Sequence, residues 1–481
     1  MTNRGITSVG AYVPRRRLLR SAIATAHAWA KPGLKGLGKG SRAICSHDED
    51  VITMAVAAAR ACLGGGDNRS PDRLLLASTS LPFADRQNAT VVGEALNLPE
   101  DLQTADISGS QRAATSALLL GLQHGGAECM VVGAEKCLTR AGSVEEFTVG
   151  DAAAALTTGE DQQLARFIGS HSISRDMVDH YRTAQSDHNY ALEERWIRDC
   201  GLMQIIPETV AALLSKLDMS SEQIDRLLIA GVDGRPAAQI AARCSIDKMA
   251  VHEGLKVPIG HAGSADALLL LVDALQAAEP GQNILLVGFG QGCDALLFQT
   301  TEIVHRARES HGVTAAIAAG VEDTNYLRYL SFAGLVDIDW GMRAERDNRT
   351  SQAAFYRGRR AITGFVGGLC RDCGVAQFPK TALCVNPNCG KQDTQDDEVF
   401  ANKAGQVKSF TEDWLALSLN PPLMYGSVRF DRQSTIMMEF TDFDPGELSI
   451  GSKLQMVFRI KDFDPLRGYH RYFWKAAPAA E

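Results

Sequence analysis

The chain has 481 residues, 45% apolar and 22% charged, with a formal net charge of −8; that length exceeds one hydrophobic core and predicts about two to four structural units. The acidic balance argues against a nucleic-acid partner. No apolar stretch approaches the roughly 18–20 residues that span a bilayer, and no signal peptide precedes the first strand-like run, so the expectation is a cytoplasmic protein with no membrane partner.

The first strand-like run, Gly5–Val13, leads into a stretch from Tyr12 to Arg42 with eight basic residues and no acidic one, interspersed with Trp29 and several glycines. Such a loop is either a solvated basic surface or a seat for phosphates and a stacked base. Helix-like stretches at Val51–Leu63, Ala113–Gln123 and Ala265–Ala278 separate short apolar runs without alternation, the pattern of strands buried on both faces. Segments recur. Asp72–Ser78 returns as Asp225–Gly231 at an offset of 153 residues, Glu128–Gly133 as Asn283–Gly288, and Gly150–Ala154 as Cys293–Leu297. An offset that drifts by only some residues over three segments predicts a duplicated α/β half-domain, with a site where the two halves meet. The polar segment Ser170–Gly201 carries Asp176, Asp179, His180 and Tyr190. On a helix, Asp176 and His180 would share a face, as a metal pair does; an exposed charged helix or a dimer-contact arm fits the same composition.

Cys370 and Cys373, then Cys384 and Cys389, make a CxxC and a CxxxxC pair, and Gly374 and Gly390 supply the turn after each. Four thiolates so spaced close a tetrahedron around structural zinc. Metal-spaced thiols fit a reducing compartment, and the other seven cysteines read as small packing residues. Gly367-Gly368 marks a hinge before the ribbon. Beyond it, Val407–Thr411, Met424–Phe430, Thr435–Phe440 and Lys453–Ile460 alternate as strands of a small all-β, five-stranded barrel.

Gly10-Ala11-Tyr12-Val13-Pro14-Arg15, Asp48-Glu49-Asp50, Gly150–Ala154 and Gly288-Phe289-Gly290-Gln291-Gly292 resemble the thiolase superfamily, in its hydroxymethylglutaryl-CoA synthase and ketoacyl synthase III branch. The tail from Leu369 resembles the acyl-CoA-associated zinc-ribbon and OB-fold domain that accompanies such thiolases. The resemblance implies an α/β, layered αβαβα thiolase fold, in halves 1–165 and 166–300. A helical linker at 301–366, a zinc ribbon at 367–400 and an OB-fold domain at 401–481 would follow. It also implies an acyl-CoA substrate, a homodimer or higher homo-oligomer, and Trp29 and Arg42 as coenzyme A contacts.

At the catalytic positions the pattern breaks. Family members carry a nucleophilic Cys at a helix N-terminus, where the dipole lowers the thiol pKa; here Ser110-Gln111-Arg112-Ala113-Ala114-Thr115 puts Gln111 in its place. The glutamate of the synthases aligns with Thr79, their histidine falls near Val232-Asp233-Gly234, and the second thiolase cysteine falls at Gly288. Gly260-His261-Ala262-Gly263 resembles the Gly-His-Pro-x-Gly of thiolases. The catalytic set so implied is Gln111, His261 and Asp233, with backbone donors at Gly288, Gly290 and Gly292. His261 can equally be a core residue, Asp233 a turn cap, and Ser110 a displaced nucleophile; Asp179, His180 or Tyr190 could supply the acid if the arm folds over the cleft. The expected reaction is cleavage of a carbon–carbon bond β to a CoA thioester, by retro-Claisen, retro-aldol or decarboxylation, without an acyl-cysteine. The rivals are a condensing synthase with a non-standard nucleophile and a non-catalytic acyl-CoA-binding scaffold.

Overall fold

The computed structural model describes residues 3–64, 70–126, 128–342 and 350–479. The chain falls into two compact units. One comprises Met1–Ser46, Asp50–Thr90 and Pro99–Leu335, the other His47–Glu49, Val91–Leu98 and Val336–Glu481. The stretch 301–366, read from sequence as a linker, is therefore divided between the two units.

Nine strands build the sheet of the first unit: β1 (Gly5–Tyr12), β2 (Arg73–Ala77), β3 (Gln103–Ile107), β4 (Cys129–Glu135), β5 (Ala152–Gly159), β6 (Ala165–Ser174), β7 (Arg226–Ile229), β8 (Asn283–Phe289) and β9 (Gly292–Thr300). Their order is β7-β8-β9-β6-β1-β5-β4-β2-β3. The duplication is visible in the pairing. In β1-β5-β4-β2 the three junctions run antiparallel, antiparallel, parallel, and β6-β9-β8-β7 repeats them. Strand β3 extends the first half by a parallel pairing with β2; its counterpart in the second half shrinks to one parallel bridge, Leu227 to Val251.

Strands β4 and β5 are buried along their whole length, which explains the runs of Ala, Val and Leu without alternation. Helix α1 (Val51–Leu63) covers β1 and β5, and α3 (Met203–Leu217) covers β6 and β9. Between the halves run α2 (Ala113–Leu122) and α4 (Asp266–Ala277); α4 touches β5 of one half and β7 and β8 of the other. These inner helices are apolar on nearly every side because they have strands on both sides of them. The layers are helix, strand, helix, strand, helix, the thiolase architecture.

One finding departs from the sequence reading. The helical run Glu194–Leu217 is long and apolar enough to cross a bilayer by length and composition. Its apolar face is spent inside the first unit, where Ile205, Ile206, Val210 and Leu213 pack with Leu285, Val287 and Leu297.

In the second unit, Val366–Cys370 pairs with Ala376–Gln377 on one side and Gln395–Val399 on the other. After it come β10 (Gly405–Asp413), β11 (Leu423–Arg429), β12 (Thr435–Glu439), β13 (Lys453–Asp464) and β14 (Tyr469–Pro478), ordered β12-β11-β10-β13-β14. A parallel bridge from Phe440 to Ala476 brings the two ends of this row together. Phe365 anchors the core, its ring 5.0 Å from Phe378 and 5.6 Å from Phe400. A buried ionic network completes the unit. Lys475 Nζ lies 3.0 Å from Asp48 Oδ2, and Arg459 lies 3.2 Å from Glu49 and 2.9 Å from Asp442. Burial opposes the charge of Asp48, but Lys475, His47 and Arg459 outweigh it and hold the carboxyl well below its usual range.

Candidate active site and metal centre

Helix α2 begins at a fixed point. Asp294 on β9 accepts from Arg112 (2.8 Å), Thr115 (2.9 Å), Ser116 (3.0 Å) and Ser172 (2.7 Å), pinning the first turn of α2 to the second half of the sheet. Ser110 Oγ donates to the Gly290 carbonyl at 2.9 Å. With its neighbours so tied, Gln111 turns into a cavity of about 300 Å³, a volume suited to a small acyl group.

Two histidines with their carboxylates, and a third set that is a carboxylate alone, meet that cavity. The hairpin of His180–Tyr181 with Tyr190–Ala191 brings His180 Nε2 to 3.3 Å from Gln111 Nε2, and its Nδ1 to 2.9 Å from Asp179 Oδ2. In the tautomer that Asp179 favours, Nδ1 donates to the carboxylate and Nε2 accepts from the amide. Burial alone would lower the proton affinity of His180; the hydrogen bond and charge of Asp179, then Glu145 and Glu135, outweigh it and raise the imidazole above its ordinary value. The hairpin is moored by Arg182 donating to the Thr79 carbonyl and by Asn189 Nδ2 donating to Glu145 Oε1 at 3.1 Å. It is a hairpin and no helix, so Asp176 and His180 do not share a helical face.

His261 also lines the cavity, with Nε2 3.9 Å from Asp233 and Nδ1 3.8 Å from Asp266. Asp233 is absent from the cavity wall. Its carboxylate lies beside His261 Nε2 and 3.7 Å from Lys256 Nζ. The third set is Glu135 at the end of β4, which sequence reasoning missed. The signal was there: in the repeat, Glu135 falls opposite Gly290, a charge ending an otherwise apolar strand.

The expected backbone donors lie elsewhere. Gly288 sits in the β8 ladder, where an added Cβ would come 2.6 Å from Thr115 Oγ1. The Gly290 N–H is taken by the Gly292 carbonyl at 3.0 Å. Of these three glycines none lines the cavity; Phe289 does. Nor does Arg42 offer itself to a phosphate. It is 0% exposed, stacked 5.1 Å from the Tyr329 ring, and donates to Thr139, to Tyr329 and to the Glu146 carbonyl, each at 3.2 Å. Trp29 is 88% exposed, on the same basic loop as the exposed Lys31, Lys35 and Lys39. A remaining thiol, Cys137, reaches the cavity, but burial and the charges of Asp151 and Glu135 push it well above its ordinary value, and its Sγ donates to the Gly150 carbonyl at 3.2 Å. It is a thiol and no thiolate.

In the second unit Cys370, Cys373, Cys384 and Cys389 bring their sulfurs within 4.8 Å of one another. The Cys370–Cys389 and Cys373–Cys384 separations are 3.9 and 3.6 Å; tetrahedral zinc with bonds of about 2.3 Å requires edges of about 3.8 Å. The four thiols fit a structural zinc ion. Gly374 and Gly390, with φ of +71° and +56°, donate to the carbonyls of Cys370 and Asn386 and form the two knuckles.

Comparison with known proteins agrees with these features. Residues 364–395 match the ChsH2 rubredoxin-like zinc ribbon domain. The hydroxymethylglutaryl-CoA synthase of Methanobrevibacter smithii is 27% identical over 350 residues, covering 69% of this chain and 99% of that protein; that of Aeropyrum pernix is 29% identical over 314 residues, covering 63% and 87%. Among solved structures, PksG, a hydroxymethylglutaryl-CoA synthase from Bacillus subtilis, superposes with a TM-score of 0.59 at 15% identity, over 72% of this chain and 95% of that one. The 3-oxoacyl-(acyl carrier protein) synthase III of Pseudomonas aeruginosa superposes with a TM-score of 0.54 at 18% identity, over 62% and 98%. The structural likenesses establish the fold.

Proposed function

We propose that this chain, a thiolase-like core joined to a ChsH2-type zinc ribbon, makes or breaks the bond between the α and β carbons of a CoA thioester through an enolate, without attaching the acyl group to itself. The observation that carries the reading is the row Asp179, His180, Gln111, set at a helix N-terminus with an amide in the place of a nucleophile.

In the cleavage direction His180 Nε2 takes the proton of a β-hydroxyl. The Cα–Cβ bond breaks with its electron pair passing to the thioester enolate, and the β carbon leaves as a carbonyl. The imidazolium then returns the same proton to Cα, so no co-reactant is needed. The substrate hydroxyl takes the place of the Gln111 N–H at the single Nε2 lone pair of His180, and the displaced Gln111 amide gives its N–H groups to the enolate oxygen, aided by the helix dipole. Asp179 orients the imidazole and stabilises its charged form. His261 and Asp233 position the cavity wall. Trp29 with Lys31, Lys35 and Lys39 offers stacking and charge to the adenine and phosphates of coenzyme A, the role that Arg42 is too buried to take. For the five-stranded sheet of the second unit we propose an OB-fold barrel, which its strand order and the Phe440–Ala476 bridge support.

A second reading, condensation through an acyl-enzyme, is favoured by the curated relatives, which are hydroxymethylglutaryl-CoA synthases. It needs a nucleophile, and the candidates are an amide, a serine bonded to Gly290 and a protonated thiol. The test is the intact mass of the protein after incubation with short acyl-CoA thioesters and acid quench, alongside product analysis with β-hydroxyacyl-CoA substrates. Our reading expects free carbonyl product and an unchanged protein mass. A mass increase equal to the acyl group defeats it, and binding without any turnover leaves the scaffold reading.

A further inference from the structure

Glu135 is only 2% exposed, yet it stands in the cavity wall. Its carboxylate accepts from neutral donors on two turns. Thr79 gives its N–H (3.0 Å) and hydroxyl (3.1 Å) and Ser80 its hydroxyl from the turn after β2; Ser264 gives its N–H (3.3 Å) and hydroxyl from the turn before α4. Among the described residues no lysine or arginine forms an ion pair with it. Hydrogen bonds to the charged form take the place of water and of a counter-ion. Gly263 (φ +52°) leaves room for the meeting: a Cβ there would lie 2.7 Å from Glu135 Cγ and 3.3 Å from Gln111 Oε1. Glu135 and Gln111 thus converge on one glycine.

We propose that Glu135 is the positioning residue of this site. It fastens a turn of the first half of the sheet to a turn of the second, and it brings its carboxylate to the cavity wall that His180 shares. The inference rests on the reading of His180 as the proton carrier. The charged groups around that imidazole are Asp179 and Arg182 on its own hairpin, Glu135 and Lys136 at the end of β4, and Glu145 on the turn that receives Asn189. Asp179 acts by direct contact; Glu135 and Glu145 act through space, and both favour the protonated ring.

The test follows the imidazole protons of His180 by NMR across pH, the signal being assigned by its loss in His180→Asn. In the unaltered protein the signal is expected to titrate above about 6.5. Glu135→Gln, close in shape and without the charge, is expected to lower that midpoint by roughly half to one unit. A Glu135 with a structural role alone would reduce the melting temperature and leave the midpoint in place, and that result overturns the proposal. Should Glu135→Gln not fold, a midpoint at or below about 6.5 in the unaltered protein overturns it as well. No substrate is required. An acylated protein in the mass experiment would end the enolate reading without touching this result, and an unmoved midpoint would end this inference with the enolate reading intact.

Discussion

Two histidines share one cavity wall and differ in what brackets them. His180 has a carboxylate at one ring nitrogen and an amide at the other; His261 has carboxylates facing both. A ring nitrogen clear of carboxylates can meet a ligand in the cavity, whereas both ring nitrogens of His261 are turned toward acids. The histidine that matches a familiar motif is thus the one bracketed by acids, and the one on an unremarkable polar hairpin carries the proposed proton transfer.

The contrast breaks most severely at His180. His180→Asn should lower kcat/KM by up to about 10⁴-fold with substrate affinity little changed; a drop confined to KM would return the proton to His261. Gln111→Ala should cost about 10²-fold in kcat through the lost N–H donor, measured by steady-state kinetics. A pH profile sharpens the comparison further. Because the value of His180 is raised, the neutral form that takes the β-hydroxyl proton gathers only as pH rises through the raised value; Asp179→Asn should move that rise in cleavage rate to lower pH. His261→Gln should change turnover by less than about 10-fold, showing as a stability effect.

Its partner Asp266 carries the matching stability prediction. Burial disfavours its charge, but His261 and the N–H groups of Ala262 and Gly231 outweigh burial and lower its pKa. Its stabilisation is therefore present above the ordinary carboxyl value and lost as pH falls through the lowered one. Asp266→Asn should cost about 1–3 kcal/mol at neutral pH by denaturant titration, and the gap to the unaltered protein should close in acid.

Much of this was legible in the chain. The repeat of Asp72–Ser78 at Asp225–Gly231 foretold two strands with the same place in their half-sheets, β2 and β7, because duplicated cores keep their apolar runs. The four cysteines foretold the metal knuckles because ligand spacing is local. Depth was not legible. Arg42 sits among eight basic residues that look alike in sequence, and only packing shows that it is enclosed by Tyr329 and Thr139. The same holds for the glycines of 288–292, whose donors go to partners that the ladder register selects. His180 was one of several candidates on its arm; the fold chose it by the hairpin's mooring at Thr79 and Glu145.

The ionic network around Asp48 has a consequence for how this polypeptide is made. Its second unit takes in His47–Glu49, and the ammonium facing Asp48 belongs to Lys475, 427 residues further along the chain. A ribosome therefore makes the whole stretch between them before that network can close, and no single cut separates the second unit as a contiguous fragment. Expression of either portion alone would strand buried charges, so dissection of this protein calls for co-produced halves.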